Sequence, residues 1–279
     1  MRRRIFLVLA AAVAAIVWST TAASGAGPSP GVSQGGAGLK SGNVRYMAVQ
    51  SGASTIVEAL SKDFRVLRQM RVKGAWGFPL VAFDQTVEGL VRGGRTLVLA
   101  QQIYLADGRL RQTTSFKLVD AKKMKVTRSI DLAGTFSFDA VSPDAHYMYL
   151  IEYFSSEDPT LYRVRVYDLR QDKLLAKIVA DRKSWETGMQ GMPVSRTWKE
   201  GWAYTLYGGN AQPFIHALNT RGAEAVCINM PWTSSPKRIF DFRLRTDKDG
   251  NLVVRGPNGR ALVVIDRHSF KILSFVKDP

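Results

Sequence analysis

The chain has 279 residues, of which 46% are hydrophobic and 22% are charged. This is the composition of an ordinary globular protein, and it excludes a disordered or collagen-like chain. Cys227 is the only cysteine, so an intramolecular disulfide framework is excluded too. The formal net charge of +16 indicates a surface that attracts acidic partners.

The first 26 residues have the three parts of a secretory signal. Three arginines at positions 2–4 precede the uncharged apolar run Ile5–Trp18, and small residues follow. The run is shorter than the ~20 residues of a membrane-spanning helix, so we predict a cleaved signal peptide over residues 1–26. The stretch Arg3–Leu7 also fits the twin-arginine route, and an uncleaved membrane anchor is a third alternative. The protein is expected to be exported, and to be extracellular or associated with the cell envelope.

Residues 27–42 are rich in Gly, Ser and Pro and carry no charge before Lys40. A segment of this composition cannot bury a core, and it predicts a flexible linker. The remaining residues, 43–279, are expected to form one domain.

From residue 43 onward, short alternating apolar runs between turn residues predict strands, and helical periodicity is hard to find. One pattern recurs: an apolar strand that ends in Asp or Asn, a polar turn, and a second apolar strand. The marker residues that end the first strand of each copy are Asp120, Asp168, Asn219 and Asp266. They lie 48, 51 and 47 residues apart, and a degenerate first copy occupies residues 54–72.

Two further strands precede each copy, most clearly 138–144 and 147–153. Four strands in about 45–50 residues is the spacing of propeller blades, which bury their faces by stacking around an axis. We therefore predict an all-β fold, a β-propeller of five blades. The predicted blades are residues 44–73, 78–132, 138–181, 192–230 and 240–276. The first lacks an obvious innermost strand, and a six-bladed ring and a two-sheet sandwich with a small second domain are the alternatives.

The third predicted blade resembles the YVTN-type repeats of WD40-like propellers. Val141–Asp144 matches their Val-Ser-Pro-Asp turn and Val166–Asp168 matches their Val-x-Asp strand end, while Ala145 stands where those repeats have Gly. A weaker copy runs from residue 192 to 230. The chain is also similar to uncharacterised secreted propellers of high-GC Gram-positive bacteria. The resemblance implies a fold and an exported location, and it implies no activity.

Catalysis in a propeller would be expected at the axial channel, which the innermost strands line. The predicted innermost strands are 78–83, 138–142, 192–196 and 240–244, and their polar residues are Asp84, Asp139, Arg196, Asp241 and Arg243. Asp139 and Asp241 each follow a Phe, and such a pair, with Arg243, could perform acid–base catalysis. The alternative is that each Asp caps a backbone amide or pairs with an arginine, so no catalytic set is predicted.

The three histidines, His146, His216 and His268, lie far apart in the sequence. None has the spacing of a zinc-ligand motif, so we predict no metal site and no cofactor. A different signal is the concentration of aromatic residues between positions 185 and 207. If Trp185, Trp198 and Trp202 were exposed, they could stack on a ligand; the alternative is that they pack between blades.

The leading hypothesis is an extracytoplasmic binding module for a protein, a glycan or a cell-envelope polymer, and not an enzyme. One alternative is a lactonase-like or lyase-like propeller enzyme with its site in the axial channel. Another is a structural envelope protein held by its basic surface, with peripheral contact to an anionic membrane. Nucleic acid is not an expected partner of an exported protein, and a monomer is expected.

Overall fold

In the computed structural model, the chain is described over residues 31–36, 38–91, 93–154, 161–181, 189–209, 212–277 and 279. The predicted signal peptide lies outside these ranges. Within them the regular structure is β-strand, apart from one 3-10 turn at Ile239–Asp241. No helix in the described ranges is long and apolar enough to cross a membrane.

The strands form five successive antiparallel sheets, the blades of a propeller. Blade 1 comprises β2 (Leu39–Ser41), β3 (Val44–Ser51), β4 (Ser54–Leu60) and β5 (Val66–Lys73). Blade 2 comprises β7 (Thr96–Ala100), β8 (Thr113–Asp120) and β9 (Lys125–Ala133). Blade 3 comprises β10 (Phe136–Val141), β11 (Tyr147–Tyr153), β12 (Tyr162–Asp168) and β13 (Lys173–Val179). Blade 4 comprises β14 (Met192–Lys199), β15 (Trp202–Gly208), β16 (Phe214–Asn219) and β17 (Glu224–Asn229). Blade 5 comprises β18 (Arg243–Thr246), β19 (Leu252–Arg255), β20 (Ala261–Ile265) and β21 (Ile272–Phe275). Two short strands, β1 (Val32–Ser33) and β6 (Phe78–Pro79), pair with each other.

The described part of the predicted linker is folded. β2 pairs with β3 and supplies the innermost strand that blade 1 lacked in the sequence prediction. Leu39 is buried in the core between blades 1 and 2, and β1 is held against β6. Blade 1 therefore begins at Leu39 and not at Val44, because a three-residue strand in a Gly- and Ser-rich stretch has no periodicity to reveal it.

The innermost strand of blade 2 is interrupted, which corrects the predicted strand 78–83. Gly77 pairs with Ala100 at one end, and Leu90 pairs with Leu97 at the other. Between them, residues 79–88 leave the blade as a hairpin closed by the Leu80–Val87 bridge and by Val81 N–H donating to Thr86 O. We call residues 79–88 the axial hairpin, because its contacts lie with the innermost strands of blades 3, 4 and 5. The predicted strand 240–244 is likewise a 3-10 turn followed by β18.

The marker residues of the repeat begin the turn between the last two strands of a blade. The side-chain oxygens of Asp120, Asp168, Asn219 and Asp266 each accept hydrogen bonds from the backbone N–H groups two and three residues later. Each turn ends in a residue with positive φ, at Met124, Asp172, Ala223 and Phe270. In blade 1 a one-residue-shorter turn ends at Phe64 (φ 58°). The repeat is therefore a turn signal, in which a short polar side chain replaces backbone partners.

Four buried apolar clusters hold the blades together. They lie between blades 1 and 2, 2 and 3, 3 and 4, and 4 and 5. None of these four clusters, drawn from the described residues, contains residues of both blade 5 and blade 1. Blades 2, 3 and 4 are thus covered on two faces, whereas each terminal blade buries one face in a cluster.

Candidate functional site

The innermost strands of blades 3 and 4 hold a buried ion pair. Asp139 lies at an irregularity in the pairing of β10 with β11, where the register shifts between Phe138 and Ala140. Arg196 of β14 donates from Nη1 to Asp139 Oδ1 at 2.6 Å and from Nη2 to the Asp139 carbonyl at 2.7 Å. Nη1 also lies 2.8 Å from Thr205 Oγ1. Because Asp139 and Arg196 are each only 3% exposed, the pair sits in a medium where an unpaired charge is costly.

A second carboxylate reaches this pair from the axial hairpin. Glu88 Oε1 lies 2.9 Å from Arg196 Nε and accepts a hydrogen bond from Trp198 Nε1. The Arg196 guanidinium stands over the Trp198 ring, 5.9 Å from its centroid. Arg196 therefore joins three parts of the chain, and the Glu88–Asp139–Arg196 cluster carries one more carboxylate than it has cations.

Burial sets the protonation of this cluster. Burial raises the pKa of Glu88 above its ordinary value, against the opposing effect of the Arg196 charge. Burial by itself would lower the pKa of Arg196, but the Glu88 and Asp139 carboxylates raise it above its ordinary value. Burial also lowers the pKa of nearby His216 to about 4. The arginine is thus charged and the histidine neutral at physiological pH.

A small cavity adjoins Asp139. It is lined by residues of the axial hairpin and of blades 3 and 4, among them Ser137, Tyr153, Tyr162 and Tyr207. About 20 Å³ is open to the centre of a water molecule, which is room for one water. Asp139 Oδ2 is buried without a hydrogen-bond partner, and such an oxygen is normally satisfied by an internal water. The cavity is too small for a metabolite.

The tip of the axial hairpin is fastened to blade 4. The N–H groups of Phe83 and Asp84 donate to the carbonyls of Pro193 and Val194 at 2.8 and 3.0 Å. Ser195 Oγ donates to Asp84 Oδ2 at 2.6 Å and accepts from Leu244 N–H of blade 5 at 2.8 Å. A series of hydrogen bonds therefore connects the hairpin to blade 4, and blade 4 to blade 5.

The hairpin also carries apolar side chains into the axis. Val81 and Ala82 are buried, and the Phe83 ring meets Phe240 edge to face at 6.0 Å. Together with the tip contacts, these side chains occupy the place where a propeller has its channel.

The predicted channel residues are not brought together by these contacts. Asp139 is bound to Arg196 as described. Asp241 lies in the 3-10 turn before β18, half exposed, and pairs with Arg238 at 2.8 Å. Arg243 donates to the carbonyls of Phe240 and Phe242. Each of the three residues has separate partners: Asp139 and Asp241 each pair with an arginine, and Arg243 binds backbone carbonyls.

The predicted aromatic surface is engaged in packing where it is described. Trp198 is bound to Glu88 and Arg196. Trp202 stacks on Tyr204 at 6.1 Å and contacts Phe270 of blade 5 at 5.5 Å. Both side chains are part-buried. Trp185 lies outside the described residues.

Glu88 is the member of the cluster that the sequence did not indicate. Arg196 was a recognisable signal, because an arginine in an innermost strand needs an acidic partner. Nothing in the sequence around Glu88 marks it as that partner, since 108 residues separate the two. Among the described residues, no three His, Cys, Asp or Glu side chains are grouped so that they could hold a metal ion.

Comparison with known proteins gives structural likenesses only. Neither the protein-family models nor the curated proteins contain a match. Hydrazine synthase of Kuenenia stuttgartiensis is 19% identical, with a TM-score of 0.40 over 66% of this chain and 46% of that one. Dihydro-heme d1 dehydrogenase NirN in complex with DHE is 16% identical, with a TM-score of 0.49 over 89% and 48% of the two chains. The Dos1 propeller is 9% identical, with a TM-score of 0.40 over 77% and 48%. This chain spans about half the length of these three structures.

Proposed function

We propose that this protein is a non-enzymatic binding module that recognises an acidic partner of the cell envelope, a protein, a glycan or a polymer, on its outer surface. The observation that carries the proposal is the axial hairpin. It occupies the place of the channel, and its Glu88 joins Asp139 in pairing with Arg196, so these charged groups are not free to bind a substrate. What remains for recognition is an outer surface of strongly basic character, which attracts polyanions over about a Debye length.

The location of this function follows from the sequence prediction. The leader pattern over residues 1–26 supports export, and removal of its three arginines leaves a net charge of +13 on the mature chain. The Val141–Asp144 turn supports kinship with YVTN-type repeats. An exported propeller of this charge meets wall polymers and anionic head groups and does not meet nucleic acid.

The experiment is a binding and turnover test on the protein beginning at Gly27, which retains all five blades. Soluble acidic wall polymers, acidic polysaccharides and neutral glycans are titrated into the protein, and ester and lactone substrates are assayed beside them. We expect saturable binding of an acidic polymer with no turnover, and binding unchanged by Asp139→Asn. Turnover that Asp139→Asn abolishes without unfolding the protein would overturn the proposal in favour of a propeller enzyme.

A further inference from the structure

In blades 2 to 5, the turn between the last two strands contacts the preceding blade. Met124 of blade 2 belongs to the cluster shared with blade 1, and Ala223 of blade 4 to the cluster shared with blade 3. Phe270 of blade 5 contacts Trp202 of blade 4, and Asp172 of blade 3 pairs with Arg128 of blade 2 at 3.3 Å. The positive-φ residue of a turn is thus the point of contact with the blade before it.

Blade 1 breaks this rule. Phe64 holds the same place in its turn, yet it is 64% exposed, and the next apolar residues, Val66 and Leu67, are 53% and 48% exposed. The Arg45 guanidinium of the same blade stands over the Phe64 ring, 5.2 Å from its centroid. We call residues 62–68 the blade 1 rim. It comprises the end of the turn after β4 and the first residues of β5, and its three bulky apolar side chains are exposed.

The rim and the strand that follows it are basic. Residues 62–73 contain five exposed basic side chains and one acidic one, at Lys62, Arg65, Arg68, Arg71, Lys73 and Asp63. The far blade is basic as well, since Arg245, Arg260 and Lys271 of blade 5 are exposed. Blade 5 of a second copy would therefore repel the rim. The positive charge of the rim instead favours an acidic partner.

We propose that the blade 1 rim docks on an anionic lipid bilayer. The proposal rests on the proposed function, because it takes the basic outer surface as the binding surface, and it adds an anionic bilayer to the acidic partners of that surface. Apolar side chains flanked by Lys and Arg are the composition of interfacial anchors, in which the apolar groups enter the head-group boundary and the cations meet lipid phosphates. A soluble polyanion would engage the cations but leave Phe64, Val66 and Leu67 in water, so the bilayer accounts for both parts of the rim.

The test is co-flotation of the protein beginning at Gly27 with vesicles. One set is phosphatidylcholine mixed with phosphatidylglycerol, about one lipid in three anionic, and the other is phosphatidylcholine alone. Three variants are compared: Arg65→Gln with Arg68→Gln, Phe64→Asn with Leu67→Gln, and a matched control, Lys122→Gln with Lys123→Gln. The control removes two exposed charges from the corresponding turn of blade 2, and asparagine is chosen because it tolerates positive φ. Thermal unfolding verifies that each variant is folded.

We expect binding to the anionic vesicles only. The rim charge variant should bind about 30-fold more weakly, at about fivefold for each basic residue lost. The apolar variant should bind about tenfold more weakly or worse, and the control should stay within about threefold of the parent.

Three results would overturn the proposal. In the first, the control loses as much affinity as the rim charge variant, which indicates attraction by the whole basic surface. In the second, the apolar variant binds like the parent, which shows that charge alone holds the protein on the vesicle and that the apolar side chains do not enter the bilayer. In the third, no vesicle is bound; if acidic polymers still bind, the bilayer fails and the proposed function stands, and if nothing binds, both fail.

Discussion

Arg196 is the residue on which the centre of the molecule depends. Its guanidinium is the cation that contacts both the buried Asp139 carboxylate and the part-buried Glu88 carboxylate. Removal of one partner of such a pair costs more than the pair itself contributes, because the remaining charge stays in a low-dielectric site.

We therefore expect Arg196→Met to lower the free energy of unfolding by about 3–5 kcal/mol, measured by urea titration at neutral pH. Arg260→Met, at an exposed position between β19 and β20, is the control and should change it by less than about 0.5 kcal/mol. Equal stability of the Arg196 variant and the parent would show that the cluster is hydrated.

Glu88 predicts a pH dependence of the opposite sign to the usual one for a carboxylate. Its folded pKa is raised above the unfolded value, so the folded state favours the protonated carboxyl. As the pH rises from the unfolded pKa to the folded pKa of Glu88, ionisation therefore lowers the free energy of unfolding. Glu88→Gln keeps an acceptor for Trp198 and removes the charge. The variant should be more stable than the parent at neutral pH, by about 1 kcal/mol, and the difference should shrink as the pH falls towards 4.5. Chemical unfolding at several pH values measures it, and a difference that grows on acidification would refute this account.

The marker residues are the part of the residue-scale structure that the sequence predicted. The Asp120 carboxylate accepts from the Lys122 and Lys123 N–H groups, a local arrangement that sequence spacing reveals. Asn219 performs the same task with an amide oxygen. The Glu88–Arg196 contact could not be predicted in this way, because it joins distant segments through the fold.

That local arrangement can be tested at Asp120. Asp120→Asn retains an acceptor and should unfold within about one degree of the parent, whereas Asp120→Ala leaves two N–H groups without their partner and should lower Tm by a few degrees. Differential scanning calorimetry distinguishes them. If both variants lose the same amount, the charge and not the acceptor stabilises the turn.

At the scale of elements, the axial hairpin is the feature that departs most from a regular blade. It arises where the innermost strand of blade 2 is broken between Gly77 and Leu90. The sequence predicted a strand at 78–83 because the residues are apolar, and apolar character does not distinguish a strand in a blade from a hairpin buried at the axis. The innermost strand of blade 1 was not predicted, because Leu39–Ser41 is too short to show an alternating pattern.

The hydrogen bond between Asp84 and Ser195 holds this hairpin against blade 4, and its contribution to stability can be measured. Asp84→Asn and Ser195→Ala each remove part of the 2.6 Å contact, and they also disturb other bonds, from Thr86 to Asp84 and from Leu244 to Ser195. A double-mutant cycle isolates the shared contact, and we expect a coupling energy of about 1–2 kcal/mol in urea unfolding. Additive effects would mean that the hairpin is held by its backbone bonds to Pro193 and Val194.

At the scale of the whole molecule, the repeat spacing predicted the number of blades but not how the ring ends. Four marker residues and a degenerate first copy can be counted in the sequence, because each turn depends on neighbouring residues. Whether blade 5 meets blade 1 depends on side chains more than 150 residues apart. The exposed Phe64 and the absence of a shared cluster in the described residues both locate the weakest junction between the two terminal blades.

This arrangement predicts an uneven stability that amide hydrogen exchange can measure. Blade 3 lies between two buried clusters, whereas blades 1 and 5 each contribute to one. Opening of a terminal blade exposes one interface, and opening of blade 3 exposes two, so β11 and β12 should exchange only by global unfolding. The paired amides of β3 and β4, and of β19 and β20, should exchange faster by about tenfold or more, through openings that leave the central blades folded. Equal protection of all five blades would instead require a contact between blades 1 and 5 as stabilising as the four buried clusters, and the ring would then unfold as a single cooperative unit.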